Sequence, residues 1–247
     1  MMTNTTNIFG QPIGPALVDW TPRPRPSRIS LDGDFCRIEP LDADSHAAEL
    51  HEANGEAADG RLWTYLPHEP FSSPETYRTW VEQAAAFEDP LFFAIRDRRD
   101  GRTAGLFAYL RIDPAVGSIE IGHINFSPRL QRTRAATEAL FLMMAHAFEA
   151  LGYRRFEWKC DSLNAPSRAA ALRLGFIFEG IFRQATIYKG RSRDTAWFSI
   201  TDGEWPALGQ GYRAWLAADN FDEDGYQRRK LGEMINCFRA ETRPSSP

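Results

Sequence analysis

The stretch SIEIGHINF, residues Ser118–Phe126, decides the fold prediction. Its apolar residues fall on one parity before Gly122 and on the other parity after His123. Because successive side chains of a strand point to opposite faces, an unbroken strand would keep one parity throughout. The change of parity predicts a β-bulge at Gly122-His123, and bulges redirect strands and side chains beside functional sites. The alternative is a strand that ends early, at Gly122.

A strand–helix–strand unit surrounds this bulge. Apolar residues at helical spacing predict a helix over about 134–151, and a helix of that kind joins two parallel strands. Short turns between the earlier strands, and a hairpin near the end of the chain, predict antiparallel pairing elsewhere. The strands that we predict lie at 35–41, 91–96, 103–112, 118–126, 155–161, 176–188 and 194–201. We therefore expect a mixed α/β fold, with a central mixed sheet of about six to seven strands flanked by helices.

The domain organisation follows from shifts in composition. Residues 1–30 are rich in Thr, Asn, Pro and Gly, which predicts an extended, solvated arm. Residues 31–218 carry the strand and helix patterns and form the predicted domain, whereas 219–247 read as a charged, weakly patterned tail.

Composition and charge exclude several classes of function. The net charge is −4, and we find no nucleic-acid recognition motif, so we predict no nucleic-acid partner. The chain has no apolar run of the roughly 20 residues that span a membrane, and its first residues lack a secretory pattern. The 3 cysteines are far apart and form no pair with metal-site spacing. We expect a cytoplasmic protein without membrane attachment or metal.

Two predicted helix starts carry the candidate chemistry. Arg129, Arg132 and Arg134 lie around the first, where outward amide groups and the helix dipole favour an anion such as a pyrophosphate. The alternative is an exposed basic loop. At the second start, Asn164 suits a helix cap and Ser167 lies in the first turn. The alternative for both residues is capping alone.

These stretches together resemble the GNAT acetyltransferases, and in particular the ribosomal-protein N-terminal acetyltransferase branch. The similarity covers about residues 28–205. The first match is EIGH at 120–123. The others are Asn164, Ser167, Arg168, Ala169, Leu172, Gly175 and Phe176, then Glu179, Gly180, Ile181, Arg183 and Gln184, and finally Tyr188, Gly190 and Asp194.

The resemblance implies a GNAT fold, in which a splayed sheet holds acetyl-CoA as co-substrate between its two parallel strands. It implies cofactor contacts at Phe126, Gln131, Arg132, Thr133, Arg134, Ala135, Ala136, Asn164 and Arg168. One residue departs from the family pattern, because Arg134 stands where the first glycine of the phosphate loop is expected. Its side chain would either crowd the phosphates or pair with one of them.

The resemblance also implies direct attack by an amine on the acetyl group, with Ser167 as general acid toward the leaving thiolate. Some relatives carry a carboxylate where this chain has Thr186. Glu120 and His123 are the remaining candidates for the general base. The alternatives are a solvated strand residue for Glu120 and a polar bulge residue for His123. Cys160 is a further candidate as acyl carrier, but its apolar neighbours predict an inert, buried thiol.

The acceptor predicted in this way is a primary amine, either a protein N-terminal α-amine or a small molecule. A detoxifying acetyltransferase is the first alternative, since the Trp63–Phe71 loop and an aromatic C-terminal helix would shape a small apolar pocket. An acyl-CoA-binding module without turnover is the second alternative, and Arg134 and Thr186 are its support. A homodimer is left open.

Overall fold

An eight-stranded mixed β-sheet runs through the computed structural model, which describes residues 5–57 and 59–241. The strands are β1 (Thr5–Thr6), β2 (Pro12–Ile13), β3 (Leu31–Asp32), β4 (Cys36–Pro40), β5 (Leu91–Asp97), β6 (Thr103–Asp113), β7 (Ser118–Phe126), β8 (Arg155–Asp161), β9 (Ile177–Tyr188) and β10 (Arg191–Thr201). The helices are α1 (Ala43–Gly55), α2 (Pro74–Ala86), α3 (Arg134–Ala145), α4 (Ala165–Arg173), α5 (Trp205–Leu216) and α6 (Leu231–Glu241). The strands β1 and β2 form a separate two-stranded sheet within the predicted arm.

The order of the main sheet is β3-β4-β5-β6-β7-β8-β10-β9. Strands β7 and β8 pair in parallel through the crossover helix α3, and the other pairings are antiparallel. The predicted class and pairing pattern are confirmed. The predicted strand number was low, because the two-residue strand β3 adds an eighth strand and is too short to show alternation.

The two faces of the sheet are covered differently. Residues of α3, α4, α5 and α6 pack with apolar side chains of the sheet into one large core, which includes Phe107, Ile121 and Trp158. Helices α1 and α2 pack a smaller core against β5 and β6 on the opposite face. On that face β7 and β8 carry the charged side chains of Glu120, Glu157 and Lys159, which contact one another.

The start of α3 is fixed to the edge of the sheet by a buried carboxylate. Glu138 accepts hydrogen bonds from the backbone N–H groups of Asp34, Phe35 and Cys36, at 2.7–2.8 Å. Three amide donors stabilise a buried carboxylate in the way that water otherwise would. The contact holds the turn between β3 and β4 against the helix that follows β7.

The two chain ends contact the domain. In the arm, the indole N–H of Trp20 donates to the carbonyl of Ala115 at 2.8 Å. Beyond residue 218, the sequence pattern missed α6, whose Leu231 and Ile235 are buried in the large core. The helix is short and its polar residues interrupt the apolar spacing, so packing against α5 decides its position. The domain boundaries at residues 30 and 218 stay predictions, and residues 242–247 of the predicted tail lie outside the described part.

Candidate functional site

The parallel strands β7 and β8 separate halfway along their length. Their register runs from Ser118 opposite Arg155 to Ile121 opposite Trp158, and it ends there. From Gly122 onward β7 pairs only with β6, and beyond Trp158 β8 pairs only with β10. The cleft between the two strands therefore exposes backbone polar groups that a continuous sheet would pair.

A bulge at the point of separation is confirmed. Gly122 lies opposite Ala108 and Asn125 lies opposite Leu106, so two residues of β7 face one residue of β6. His123 has a φ of 49°, a left-handed conformation that is uncommon for residues other than glycine. The prediction from the change of parity was correct, and the bulge stands directly beside the cleft.

The residues between β7 and α3 form a compact turn at the mouth of this cleft. Gln131 donates its side-chain N–H to the carbonyl of Phe126 at 2.8 Å, so the structure brings these two predicted cofactor residues together. Thr133 caps α3, because its hydroxyl accepts from the N–H of Ala136 at 3.1 Å. Arg132 has a φ of 62° and is exposed.

Some of the backbone N–H groups predicted to bind phosphate already donate hydrogen bonds within the turn. The N–H groups of Gln131 and Thr133 donate to backbone carbonyls, and that of Ala136 donates to its cap. The N–H groups of Arg134 and Ala135 lie in the first turn of α3, where a helix supplies no backbone acceptor. An anion at this helix start would be held chiefly by those two amides.

The guanidinium of Arg134 lies against aromatic rings. It is 3.3 Å from the ring centre of Phe221 and 5.2 Å from that of Phe35. A cation over an aromatic face is attracted by the ring quadrupole. The side chain that replaces the expected glycine therefore has a partner in the segment that follows α5.

The start of α4 brings Asn164 and Ser167 together. The side-chain oxygen of Asn164 accepts from the N–H of Ser167 at 3.1 Å, so Asn164 is a helix cap in this structure. The hydroxyl oxygen of Ser167 accepts from the indole N–H of Trp158 at 3.0 Å. Arg168 donates to the carbonyl of Ser162 at 3.2 Å and so closes the turn between β8 and α4.

Glu120 is buried, and the interpretation of it as a solvated strand residue is wrong. It is 3% exposed, and its carboxylate contacts Arg111 at 2.7 Å and Lys159 at 2.9 Å. Burial raises the pKa of the carboxyl, and the two cations oppose that shift. Since Glu120 faces Glu157 while Ile121 faces Trp158, Glu120 and the serine partner Trp158 project from opposite faces of the sheet.

His123 lines a very small cavity, of about 10 Å³, on the α1–α2 side of the sheet. The cavity is lined by Trp63, Leu66, Pro67, His68, Trp80, Leu106, His123 and Asn125. Burial lowers the pKa of His123 from 6.5 to about 4, and the nearby His68 and Arg111 act in the same direction. The imidazole is therefore neutral at physiological pH.

Sequence reasoning missed two polar residues of this cavity. The ring nitrogen Nε2 of His68 accepts from the indole N–H of Trp80 at 3.0 Å, and burial lowers its pKa. The side-chain oxygen of Asn125 is buried, with no hydrogen-bond partner among the described residues. The only signal for His68 is its place in an aromatic loop between two prolines, and Asn125 follows the bulge directly.

The loop before α2 contacts both the tip of the β9–β10 hairpin and the turn after β8. Lys189 donates its ammonium to the carbonyl of Trp63 at 2.6 Å, and Tyr65 donates its hydroxyl to the carbonyl of Leu163 at 3.1 Å. Tyr188 donates to the carboxylate of Asp161 at 2.9 Å. Burial and this carboxylate raise the pKa of Tyr188 to about 12.

The family model for the acetyltransferase (GNAT) domain matches residues 36–177, more than half of the chain. The chain belongs to the GNAT family. It is therefore an acyltransferase, and membership implies acetyl-CoA as the acyl donor. The match includes β7, β8 and the starts of α3 and α4, the four elements that form the cleft.

Relatives of known structure share this architecture. A GCN5-related N-acetyltransferase from Brucella melitensis is 50% identical, with a TM-score of 0.87 over 89% of this chain and 100% of that one. A probable acetyltransferase of the GNAT family from Chromobacterium violaceum ATCC 12472 is 43% identical, with a TM-score of 0.73 over 79% of this chain and 98% of that one. These likenesses confirm the predicted GNAT fold.

The predicted resemblance to the ribosomal-protein branch is also confirmed. The chain is 28% identical over 176 residues to the Bacillus subtilis (strain 168) protein named "Putative ribosomal N-acetyltransferase YdaF". That alignment covers 68% of this chain and 90% of the relative.

Two further observations bear on metals and membranes. Within residues 5–57 and 59–241, no group of three or more His, Cys, Asp or Glu side chains is placed to hold a metal ion. In the same part of the chain, no helix combines the length and the apolar character needed to cross a bilayer.

Proposed function

We propose that the chain transfers the acetyl group of acetyl-CoA to a primary amine by direct attack in a ternary complex. The separation of β7 from β8, with the starts of α3 and α4 at the same edge, is the observation that carries the proposal. Ligands of such sheets bind beyond the carboxyl ends of the strands, where both helix starts lie.

The residues around the cleft fit acetyl-CoA. The part of β7 beyond the bulge offers backbone groups to an extended amide-containing arm, because its pairing with β8 has ended. The first-turn amides of Arg134 and Ala135 suit a pyrophosphate. Acetyl-CoA, when bound, supplies an activated thioester whose carbonyl accepts hydrogen bonds from preorganised amides.

Ser167 is the proposed general acid, and His123 is the base that the geometry favours over Glu120. His123 stands at the bulge where the cleft opens, whereas Glu120 lies in the paired region and already contacts Arg111 and Lys159. An α-amine has a pKa of about 8, so an appreciable share is neutral near that pH. A neutral imidazole then accepts the remaining proton as the C–N bond forms.

Two candidate classes of acceptor are a protein N-terminal α-amine and a small primary amine. Similarity to a protein named as a ribosomal N-acetyltransferase favours a protein N-terminal α-amine. A small primary amine is the alternative, and the cavity beside His123, at about 10 Å³, has room for no more than one water molecule. One panel of acceptors distinguishes the two.

The test is release of coenzyme A thiol from acetyl-CoA in the presence of peptides that differ only in their first residue. The same peptides with blocked N-termini, and a set of small primary amines, serve as controls. We expect release to require a free amine and to depend on the first residue. Stabilisation by acetyl-CoA without thiol release from any acceptor would favour a binding module and contradict the proposal.

The contribution of Ser167 is tested separately. Ser167→Ala removes the proton donor, and we expect kcat to fall by about 100-fold, the lower end of general acid–base effects. The KM for acetyl-CoA should change little. An unchanged kcat would remove Ser167 from this role while leaving acetyl transfer intact.

A further inference from the structure

The hydroxyl oxygen of Ser167 accepts a hydrogen bond from the indole N–H of Trp158. Trp158, on β8, is 5% exposed, and its indole N–H lies 3.0 Å from the hydroxyl oxygen of Ser167. An indole N–H donates and never accepts, so the serine oxygen is the acceptor in this contact. The serine O–H therefore remains available to donate to a different atom.

The position of Trp158 relates this contact to the cleft. Trp158 lies opposite Ile121, and these two residues form the last parallel pair before β7 and β8 separate. Its ring packs edge-on against Phe176 with 5.6 Å between ring centres, which limits its movement. The indole consequently holds the serine hydroxyl at the opening of the cleft.

The Cys160 thiol lies on the same face of β8 as Trp158, and both side chains are buried in the large core. Burial raises the pKa of this thiol, and Ser167 acts in the opposite direction. A hydroxyl whose oxygen accepts one hydrogen bond is a stronger donor in the next, because hydrogen bonds in a chain polarise one another. The contact from Trp158 to Ser167 thus has the polarity that donation by the serine O–H to a thiolate requires.

We infer that Trp158 is a positioning residue for acetyl transfer, which orients and polarises Ser167 as proton donor to the leaving coenzyme A sulfur. The inference rests on the proposed function. A neutral amine forms the new C–N bond to the acetyl carbon, and the C–S bond breaks with its electron pair moving to sulfur. Ser167 gives its proton to that sulfur, His123 takes the proton lost by the amine nitrogen, and exchange with solvent returns both side chains to their starting protonation states. The net change moves one proton from nitrogen to sulfur.

The test is a double-mutant cycle of Trp158→Phe and Ser167→Ala, followed by thiol release from acetyl-CoA with the best acceptor of the panel. Slow hydrolysis of acetyl-CoA alone is a second, acceptor-independent measurement. We expect Trp158→Phe to lower kcat by about 3- to 10-fold, the rate equivalent of one hydrogen bond, without changing the KM for acetyl-CoA. In the Ser167→Ala background the same substitution should have no effect.

Trp205→Phe is the matched control. Trp205 is 6% exposed, and its indole N–H donates to Glu149 at 2.9 Å, so the variant removes a similar contact just beyond the C-terminal end of α3. Its kcat should equal that of the parent chain. Where Trp158→Phe does not fold, 3-benzothienylalanine at position 158 keeps the bicyclic ring and removes only the N–H.

The outcomes separate the inference from the proposed function. Equal losses from Trp158→Phe in both backgrounds would show a structural effect and overturn the inference, as would no loss in the parent background. A Ser167→Ala variant with unchanged kcat would remove the acid and the inference together, but not acetyl transfer. Thiol release that is absent under all conditions would overturn the proposed function itself.

Discussion

Acid should destabilise this protein through His123. Burial lowers the pKa of this imidazole from 6.5 to about 4 in the folded chain, whereas an unfolded imidazole titrates near 6.5. Between these two values the unfolded chain binds a proton that the folded chain does not. The contribution of His123 to stability is therefore complete above about pH 6.5 and is lost progressively as the pH falls toward 4.

The size of the effect follows from the same shift. At about 1.4 kcal/mol per pKa unit, the full loss is about 3 kcal/mol, of which about 2 kcal/mol is reached at pH 5. For a chain of this size, a loss of about 2 kcal/mol lowers Tm by about 4–8 °C. Both values are large enough to measure.

The measurement compares the parent chain with His123→Asn by urea unfolding at pH 7.5 and pH 5. Asparagine tolerates the left-handed backbone at this position, where φ is 49°. At pH 7.5 the difference in free energy of unfolding between the two proteins measures the packing of the side chain at position 123. The other titrating groups are the same in both proteins, so their contributions largely cancel. We expect the margin of the parent chain over the variant to shrink by about 2 kcal/mol at pH 5. An equal margin at both pH values would refute the low pKa, and with it the neutral imidazole that the proposed mechanism uses.

Two further predictions concern charged side chains near the cleft. Arg134→Ala should lower the free energy of unfolding by about 0.5–1 kcal/mol, through its lost contact with Phe221. Calorimetric titration should then show an unchanged affinity for coenzyme A, and a tenfold loss would mean instead that the guanidinium pairs with a phosphate. Lys159→Met leaves Glu120 and Glu157 without the ammonium that contacts both, at 2.9 and 2.7 Å. Breaking this buried pair should cost about 3–5 kcal/mol in urea unfolding, and a loss below 1 kcal/mol would contradict the inferred burial of the network.

The predictions from sequence succeeded where a local pattern has one structural solution. The change of parity around Gly122 located the bulge, since period two along a strand leaves few alternatives. The residue type at Asn164 predicted a helix cap, and Asn164 caps α4 in the structure. Thr133 caps α3 in the same way, but the sequence analysis gave it only as a cofactor contact. The GNAT resemblance then gave these elements a function that periodicity alone does not contain.

The environment of Glu120 is a result of tertiary structure. Its neighbours Arg111 and Lys159 lie on the two flanking strands, and strand register alone brings them within 3 Å. No local pattern around residue 120 encodes that register. The sequence therefore offered Glu120 as a candidate base, and the structure shows it engaged by two cations.

The amino-acid sequence by itself determined the mixed sheet, the bulge, the two helix starts and the cap at Asn164, because each depends on residues close together in the chain. Only the tertiary structure decided that His68 lies beside His123, and that the Trp158 indole donates to Ser167. Those contacts depend on how separate elements pack, and many side-chain arrangements satisfy the same local periodicity. The packing of separate elements therefore decides which side chains meet in the cleft. The pattern of the strands predicts that the cleft is there.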